Sequence, residues 1–157
     1  MFEQILVPLD GSELAERVLP YVEGLAKQFN SQITLLRAIT PLEKLTLQTA
    51  GGGALSMPEA PVDIAEDILE AEREEATTYM QSMKDKLQGR GLKIETLILE
   101  QDSAPAIIDT AKSKNISLIA MCTHGRGGLG RLVFGSVTDE VLRKEKNIPL
   151  LLIRAED

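Results

Sequence analysis

The groups best suited to chemistry crowd into one stretch, Cys122-Thr123-His124-Gly125-Arg126-Gly127-Gly128-Leu129-Gly130-Arg131-Leu132-Val133-Phe134-Gly135-Ser136-Val137-Thr138. Glycine lets a backbone turn tightly and approach a ligand with no Cβ in the way. Ser136 and Thr138 offer hydroxyls where a helix would begin, beside N–H groups that have no partner within the helix. Together these make an anion site suited to phosphate. Arg126 and Arg131 could add positive charge; Arg126 is the better phosphate candidate because it lies inside the glycine run. A plain glycine-rich loop followed by an ordinary capped helix fits the same spacing, so both readings stand. The stretch is not a Walker loop, because no Gly-Lys-Ser/Thr follows the glycines. It is not the dinucleotide fingerprint, because it follows the fourth predicted strand instead of the first.

Other reactive residues are few. His124 is the sole histidine, and no partner for general-base work can be named for it. With Cys122 it supplies two ligands, fewer than a transition-metal site needs. Cys122 reads either as a redox sensor or as a small hydrophobe at a strand end. Asp10 reads as a metal ligand, a base or a carboxylate that accepts a sugar hydroxyl. Met80 and Met83, at helical spacing, read as core.

Something must hold these residues. Phe2 to Val7 is apolar enough for a buried strand, which stops at Pro8. Ser12 is a helix N-cap candidate, and Leu14, Ala15, Val18, Leu19, Val22, Leu25 and Ala26 form one helical face. Pro20 predicts a kink in that helix and Gly24 a further interruption. Gln32–Ala38 is a second strand. Residues 40–62, with Gly51-Gly52-Gly53, Pro58 and Pro61, read as a long mobile loop. A long acidic helix covers about Asp63 to Gln88, with Ala76, Met80, Met83 and Leu87 facing the core and Gly89 as its cap. Lys93–Leu99 is a third strand, Ser103 caps a helix reaching Ala111, and Leu118–Met121 is a fourth strand. Ser136 and Asp139 form a capping-box pattern opening another helix. Pro149–Arg154 is the last strand. Five strands alternating with four helices predict an α/β fold, a single doubly wound Rossmann-like domain over residues 1–157 with a mainly parallel sheet. Ligands in such sheets sit at the C-terminal strand ends where strand order reverses. Pro8-Leu9-Asp10, the Ala38 region and the segment after Met121 should therefore rim one crevice.

Bulk properties agree. The 157 residues suffice for one domain, and 43% of them are hydrophobic, which excludes general disorder. Aromatics are only 3%, so the core must be aliphatic. A net charge of −7 offers no basic face for nucleic acid and disfavours anionic membranes. One cysteine precludes a disulfide within the chain and suits a reducing cytosol. No run nears the length of a membrane span or of a signal peptide, which predicts a cytoplasmic protein.

Two motifs standing in register resemble the universal stress protein family. That family pairs an ILVPxDGS-type strand and turn with a later G-x2-G-x9-G-[S/T] motif. This chain has Ile5-Leu6-Val7-Pro8-Leu9-Asp10-Gly11-Ser12, then Thr123-His124-Gly125-Arg126-Gly127-Gly128, then Gly135-Ser136 nine residues after Gly125. The likeness runs to the strand Pro149-Leu150-Leu151-Leu152-Ile153. It implies an ATP site. Asp10 would lie at the nucleoside end, the Ala38 backbone against adenine, and Gly125, Gly135, Ser136, Val137 and Thr138 around the phosphates. Pro8, Leu9, Met121, Cys122, His124, Arg126 and Gly127 complete the expected contact set. Mg²⁺ would arrive through the phosphates, with no direct protein ligand. The family's last strand commonly pairs with a twofold mate, which implies a homodimer through Pro149–Arg154. This sequence departs from the family at Cys122, where the motif's first Gly stands, and at Gln101-Asp102, which could narrow or re-polarise the pocket mouth. The function implied is an ATP-binding regulatory homodimer of the stress response, with slow or no hydrolysis. The alternatives are an ATP-independent dimeric interaction protein and a slow ATP-hydrolysing enzyme of the adenine-nucleotide α-hydrolase-like group.

Overall fold

A computed structural model describes residues 1–50, 60–124 and 135–155, including their side chains except at 48–50, 60–62, 124 and 155. In chain order the elements are β1 (Gln4–Pro8), α1 (Glu13–Glu16), α2 (Leu19–Phe29), β2 (Gln32–Ile39), α3 (Leu42–Ala50), α4 (Ala60–Gln88), β3 (Lys93–Glu100), α5 (Ser103–Ser113), β4 (Leu118–His124), α6 (Ser136–Lys144) and β5 (Leu150–Ala155). The strands form one parallel sheet in the order β3-β2-β1-β4-β5. Parallel strands need crossovers, and those crossovers cover both faces with helices. The central strand β1 is accordingly apolar throughout its middle, with Ile5, Leu6 and Val7 fully buried.

Side chains alternate across each strand, so the sheet feeds two cores. Ile5, Val7, Ile33 and Leu35 meet Val18, Val22, Met80, Met83 and Leu87 from α2 and α4. Leu6, Leu36, Ile119 and Met121 meet Ala104, Ile107, Ala111 and Val141 from α5 and α6. Ala76, Met80, Met83 and Leu87 form the buried stripe expected of the long helix.

Several boundaries differ from the sequence reading. The first helix is two: α1 ends at Glu16, and Pro20 lies in the first turn of α2, where its missing N–H costs nothing. Gly24 sits inside α2 without interrupting it. The expected loop over 40–62 contains α3 and the start of α4, and only residues 51–59 of it lie outside the described residues. The cause is tertiary. Leu42 and Leu45 bury against Ile39, Ala65, Leu69 and Ala76, a contact that short-range signals such as the glycine triplet and the prolines do not report. Gly89 is not the left-handed cap of α4. That conformation falls on Gly91 at φ +83°, with Leu92 N–H donating to Leu87 C=O at 3.3 Å. Asp102, not Ser103, holds the N-cap position of α5, and its side chain makes no capping bond because it pairs with Lys44 at 2.6 Å. The capping box at Ser136 and Asp139 does not form. Gly135 is the N-cap, and Asp139 Oδ2 accepts from Arg143 at 2.9 Å. Finally, β4 does not stop at Met121 but runs on through Cys122, Thr123 and His124.

Candidate functional site

From β1 the chain steps to β2 on one side, while β4 lies on the other. Loops leaving the C-terminal ends of β1 and β4 therefore diverge, and a cleft opens between them. It has a volume of about 330 Å³, within the range of small-ligand sites. One wall is apolar, made by Leu36, Ala38, Ile107 and Met121. These are the outer ends of the same side chains, or neighbours of them, that fill the α5–α6 core. The site is thus an opening of the core at the C-terminal end of the central strands, and the fold needs no separate element to make it.

Asp10 stands at one side. Ser12 fixes it twice: its hydroxyl donates to Asp10 Oδ1 at 2.5 Å and its N–H donates to the same oxygen at 2.9 Å. Ser12 Oγ in turn accepts from Ala15 N–H at 3.1 Å, so the residue that caps α1 also orients the carboxylate. Burial alone would raise the Asp10 carboxyl. The Ser12 hydrogen bonds, the turn's own backbone and the Arg37 charge outweigh it and hold the group below its ordinary value. Asp10 is therefore an ionised acceptor at neutral pH, not a general acid.

Opposite, α6 points its N-terminus at the cleft, with Gly135, Ser136, Val137 and Thr138 all lining it. The first intrahelical bond runs from Asp139 N–H to Gly135 C=O at 2.9 Å. The three preceding N–H groups have no intrahelical acceptor and face the end where the helix dipole is positive. Gly135 has an ordinary φ of −59°, and a Cβ there would meet nothing within 4 Å among the described residues. Neither its backbone conformation nor packing against the described residues requires glycine at this position. What its missing side chain leaves is room in the cleft.

Cys122 lines the cleft from β4 and packs partly on the α2–α4 core. Burial pushes its thiol above the ordinary value, against a backbone hydrogen bond at Thr123 and the charge of Arg17. A thiol held protonated is a weak nucleophile and a poor metal ligand. Among the described residues, no group of three or more His, Cys, Asp or Glu side chains could hold a metal ion.

Of the residues singled out in the sequence, Pro8, Leu9, Asp10, Ala38, Met121, Cys122, Gly135, Ser136, Val137 and Thr138 come together around this cleft. His124 is described only as the last residue of β4, and Gly125, Arg126 and Gly127 lie outside the described residues. Gln101 and Asp102 do not line the cleft. Gln101 donates to Asp109 at 2.9 Å and Asp102 accepts from Lys44. Sequence reasoning missed Ser12, Leu14, Ala15, Leu36, Ser103 and Ile107, while Thr123 falls in the segment after Met121 expected at the rim. The strand-end rule could have found Ser103, since the turn after each strand contributes to such a crevice.

A model of the universal stress protein family matches residues 1–154. Universal stress protein YxiE of Bacillus subtilis is 28% identical over 98% of this chain and 100% of its own length. Universal stress protein MJ0577 of Methanocaldococcus jannaschii is 26% identical over 100% and 98%. The solved structure of MJ0577 superposes with a TM-score of 0.77 at 25% identity, covering 100% of this chain and 99% of that one. Two more distant structures share the fold. One is a universal stress protein solved in complex with cAMP (TM-score 0.63, 18% identity, 96% and 95% covered). The other, from Archaeoglobus fulgidus, was solved in complex with dAMP (0.58, 21%, 98% and 99%). With its parallel five-stranded sheet, its paired motifs and a family match across nearly all of its length, this chain belongs to the universal stress protein family.

Proposed function

We propose that the protein is a regulatory, ATP-binding homodimer. The observation that carries this reading is the pairing, across one cleft, of an apolar wall with a helix N-terminus whose first residue position, Gly135, is left empty of side chain. An adenine ring fits the wall of Leu36, Ala38, Ile107 and Met121. A ribose hydroxyl fits the ionised Asp10 carboxylate. The phosphates fit the first N–H groups of α6, which have no intrahelical acceptor, and the hydroxyls of Ser136 and Thr138. The complexes of two relatives with cAMP and dAMP support an adenine nucleotide as the ligand class. Mg²⁺ would be held through the phosphates, since the described residues offer no carboxylate cluster for it.

Regulation is favoured over fast catalysis because Asp10 is assigned to the ribose and the described lining of the cleft offers no histidine, lysine or second carboxylate to activate water. Turnover should stay below about one per second, the scale of dedicated enzymes. Dimerisation is assigned to β5, an edge strand whose Leu150, Leu151, Leu152 and Ile153 are only half-buried. Such an edge is an aggregation hazard unless a mate covers it. No described helix is long and apolar enough to cross a membrane. The single partly buried thiol suits a reducing cytoplasm.

The test is to denature purified protein, identify released nucleotide by chromatography and mass spectrometry, and titrate ATP with Mg²⁺ into stripped protein. Released or tightly rebinding ATP supports the reading. No nucleotide and no heat of binding would leave the ATP-independent dimer, with the Cys122 side chain in the cleft as its cause. Steady fast turnover would make the protein an enzyme.

A further inference from the structure

Arg37 precedes the cleft-lining Ala38 on β2, yet strand alternation places it on the opposite face of the sheet, with Ile33 and Leu35. Its side chain is only 14% exposed. Nη2 donates to Glu75 Oε2 of α4 at 3.0 Å. The guanidinium also lies against the β1–α1 turn. A Cβ on Gly11 would stand 3.2 Å from Arg37 Nη1 and 3.8 Å from its Cζ. Gly11 itself has φ +85°, so the turn is shaped for glycine twice over, by conformation and by the cation pressed against it. Arg37 Nε is buried without a hydrogen-bond partner among the described residues. An arginine chosen only to brace β2 against α4 would not need to strand a donor. One chosen to place its charge under the turn accepts that cost.

We propose that Arg37 is the positioning residue for Asp10: its guanidinium backs the Asp10–Ser12 turn from the far side of the sheet, and so sets the preference of the cleft for a ribose-bearing nucleotide over a bare polyphosphate. The inference rests on the reading that Asp10 meets the nucleoside end of the ligand. Among the described residues, the groups facing the turn are few. They are Arg37 from β2, the Ser12 hydroxyl and N–H, Tyr79 and Glu75 from α4, and Glu16 of α1, which accepts from Tyr79 Oη at 2.9 Å; Glu75 pairs with the guanidinium, and its Oε1 would lie 3.5 Å from a Cβ on Gly11. Arg37 is the cation in that set that lowers the Asp10 carboxyl.

The experiment compares Arg37→Met and Arg37→Lys with the parent protein, reading the Asp10 carboxyl titration by NMR and the affinities for ATP and for inorganic tripolyphosphate by calorimetry. Arg37→Met should raise the Asp10 pKa toward its ordinary value. It should weaken ATP about tenfold while tripolyphosphate stays within about twofold. Arg37→Lys should recover most of the titration shift and part of the ATP affinity. If Arg37→Met lowers thermal stability but leaves both the Asp10 titration and the ATP-to-tripolyphosphate ratio unchanged, Arg37 is only a brace and the proposal is wrong. Should Arg37→Met fail to fold, Arg37→Gln, which removes the charge and keeps a polar stem, carries the test, and an Asp10 titration unmoved in it overturns the proposal. A parent protein that binds neither ligand would remove the nucleotide reading instead, and the ligand-free Asp10 titration would still judge the role of Arg37.

Discussion

The two ends of the sheet solve opposite problems with the same chain. At the N-terminal end, three helices return to strands through short turns built alike. Asn30, Gly91 and Asn115 each take a left-handed conformation, at φ 55°, 83° and 51°. Behind them Ser31, Leu92 and Ile116 donate to the carbonyls of Ala26, Leu87 and Ala111. This is the six-to-one closure of a Schellman ending, and it satisfies the last helical carbonyls within the chain itself. At the C-terminal end the connections leave groups open. Asp10 accepts from its own turn and still faces the cleft, and the first N–H groups of α6 have no intrahelical acceptor. One end is finished by its own hydrogen bonds. The other is left with donors and an acceptor on the rim of an apolar opening, which is what recognition of a ligand requires.

Substitutions at the two ends should therefore separate stability from binding. The largest effect should come from Gly135→Val, which fills the cleft while its φ stays ordinary. ATP affinity should fall about a hundredfold or more, about 2.7 kcal/mol. Stability measured by urea unfolding should change by less than about 1 kcal/mol. Unchanged affinity would place the phosphate site elsewhere.

Next is Asp10→Ala, expected to weaken ATP about tenfold and tripolyphosphate much less, by calorimetry. Equal loss for both would end the assignment of Asp10 to the nucleoside.

At the other end, Gly91→Ala should cost about 1 kcal/mol of unfolding free energy with ATP affinity unchanged. A Cβ there meets nothing within 4 Å, so the cost is purely that of a positive φ. A drop in ATP affinity as large as the drop in stability would erase the contrast between the ends.

Cys122→Gly should raise ATP affinity a few-fold if the thiol obstructs the nucleotide, at some expense in stability because Cys122 packs on the α2–α4 core.

The smallest effect concerns pH. Because the folded Asp10 carboxyl lies below its ordinary value of 3.8, it contributes stability that is present above that value and lost as pH falls through the folded one. The stability advantage of the parent over Asp10→Asn should therefore be constant near neutrality and shrink below about pH 4. Thermal melts at neutral and acid pH would show it, and an advantage that grows toward acid would reverse the sign assigned to Asp10.

Much of this architecture was legible because local signals and tertiary demands agree. Ile5, Leu6 and Val7 form an uninterrupted apolar run because β1 is central and covered on both faces. Ala76, Met80, Met83 and Leu87 recur at helical spacing because α4 buries one stripe. The rule that crevices form at strand ends places Pro8 to Asp10, Ala38 and Met121 together, as the cleft does. The failures share a cause. α3 was hidden since its nine residues are too short to be helical alone, and they are held by Leu42 and Leu45 docking on α4. Ser103 and Asp139 looked like capping residues, but Asp102 takes the N-cap position of α5 and Asp139 pairs with Arg143. Arg37 gave no signal at all, since its neighbours Gly11 and Glu75 lie 26 and 38 residues away in sequence.

The sequence by itself determined the α/β class, the apolar central strands, the parallel order of alternation and the residue types gathered at the strand ends. Those follow from periodicity and turn chemistry, which act over a few residues. Only the tertiary structure decided where α3 packs, which residue caps α5 and α6, what lines the cleft beyond the motifs, and how a buried arginine on the far face comes to lie beneath Asp10. Each of these is a competition between distant groups for one partner, and its outcome depends on distances that exist only once the chain has folded.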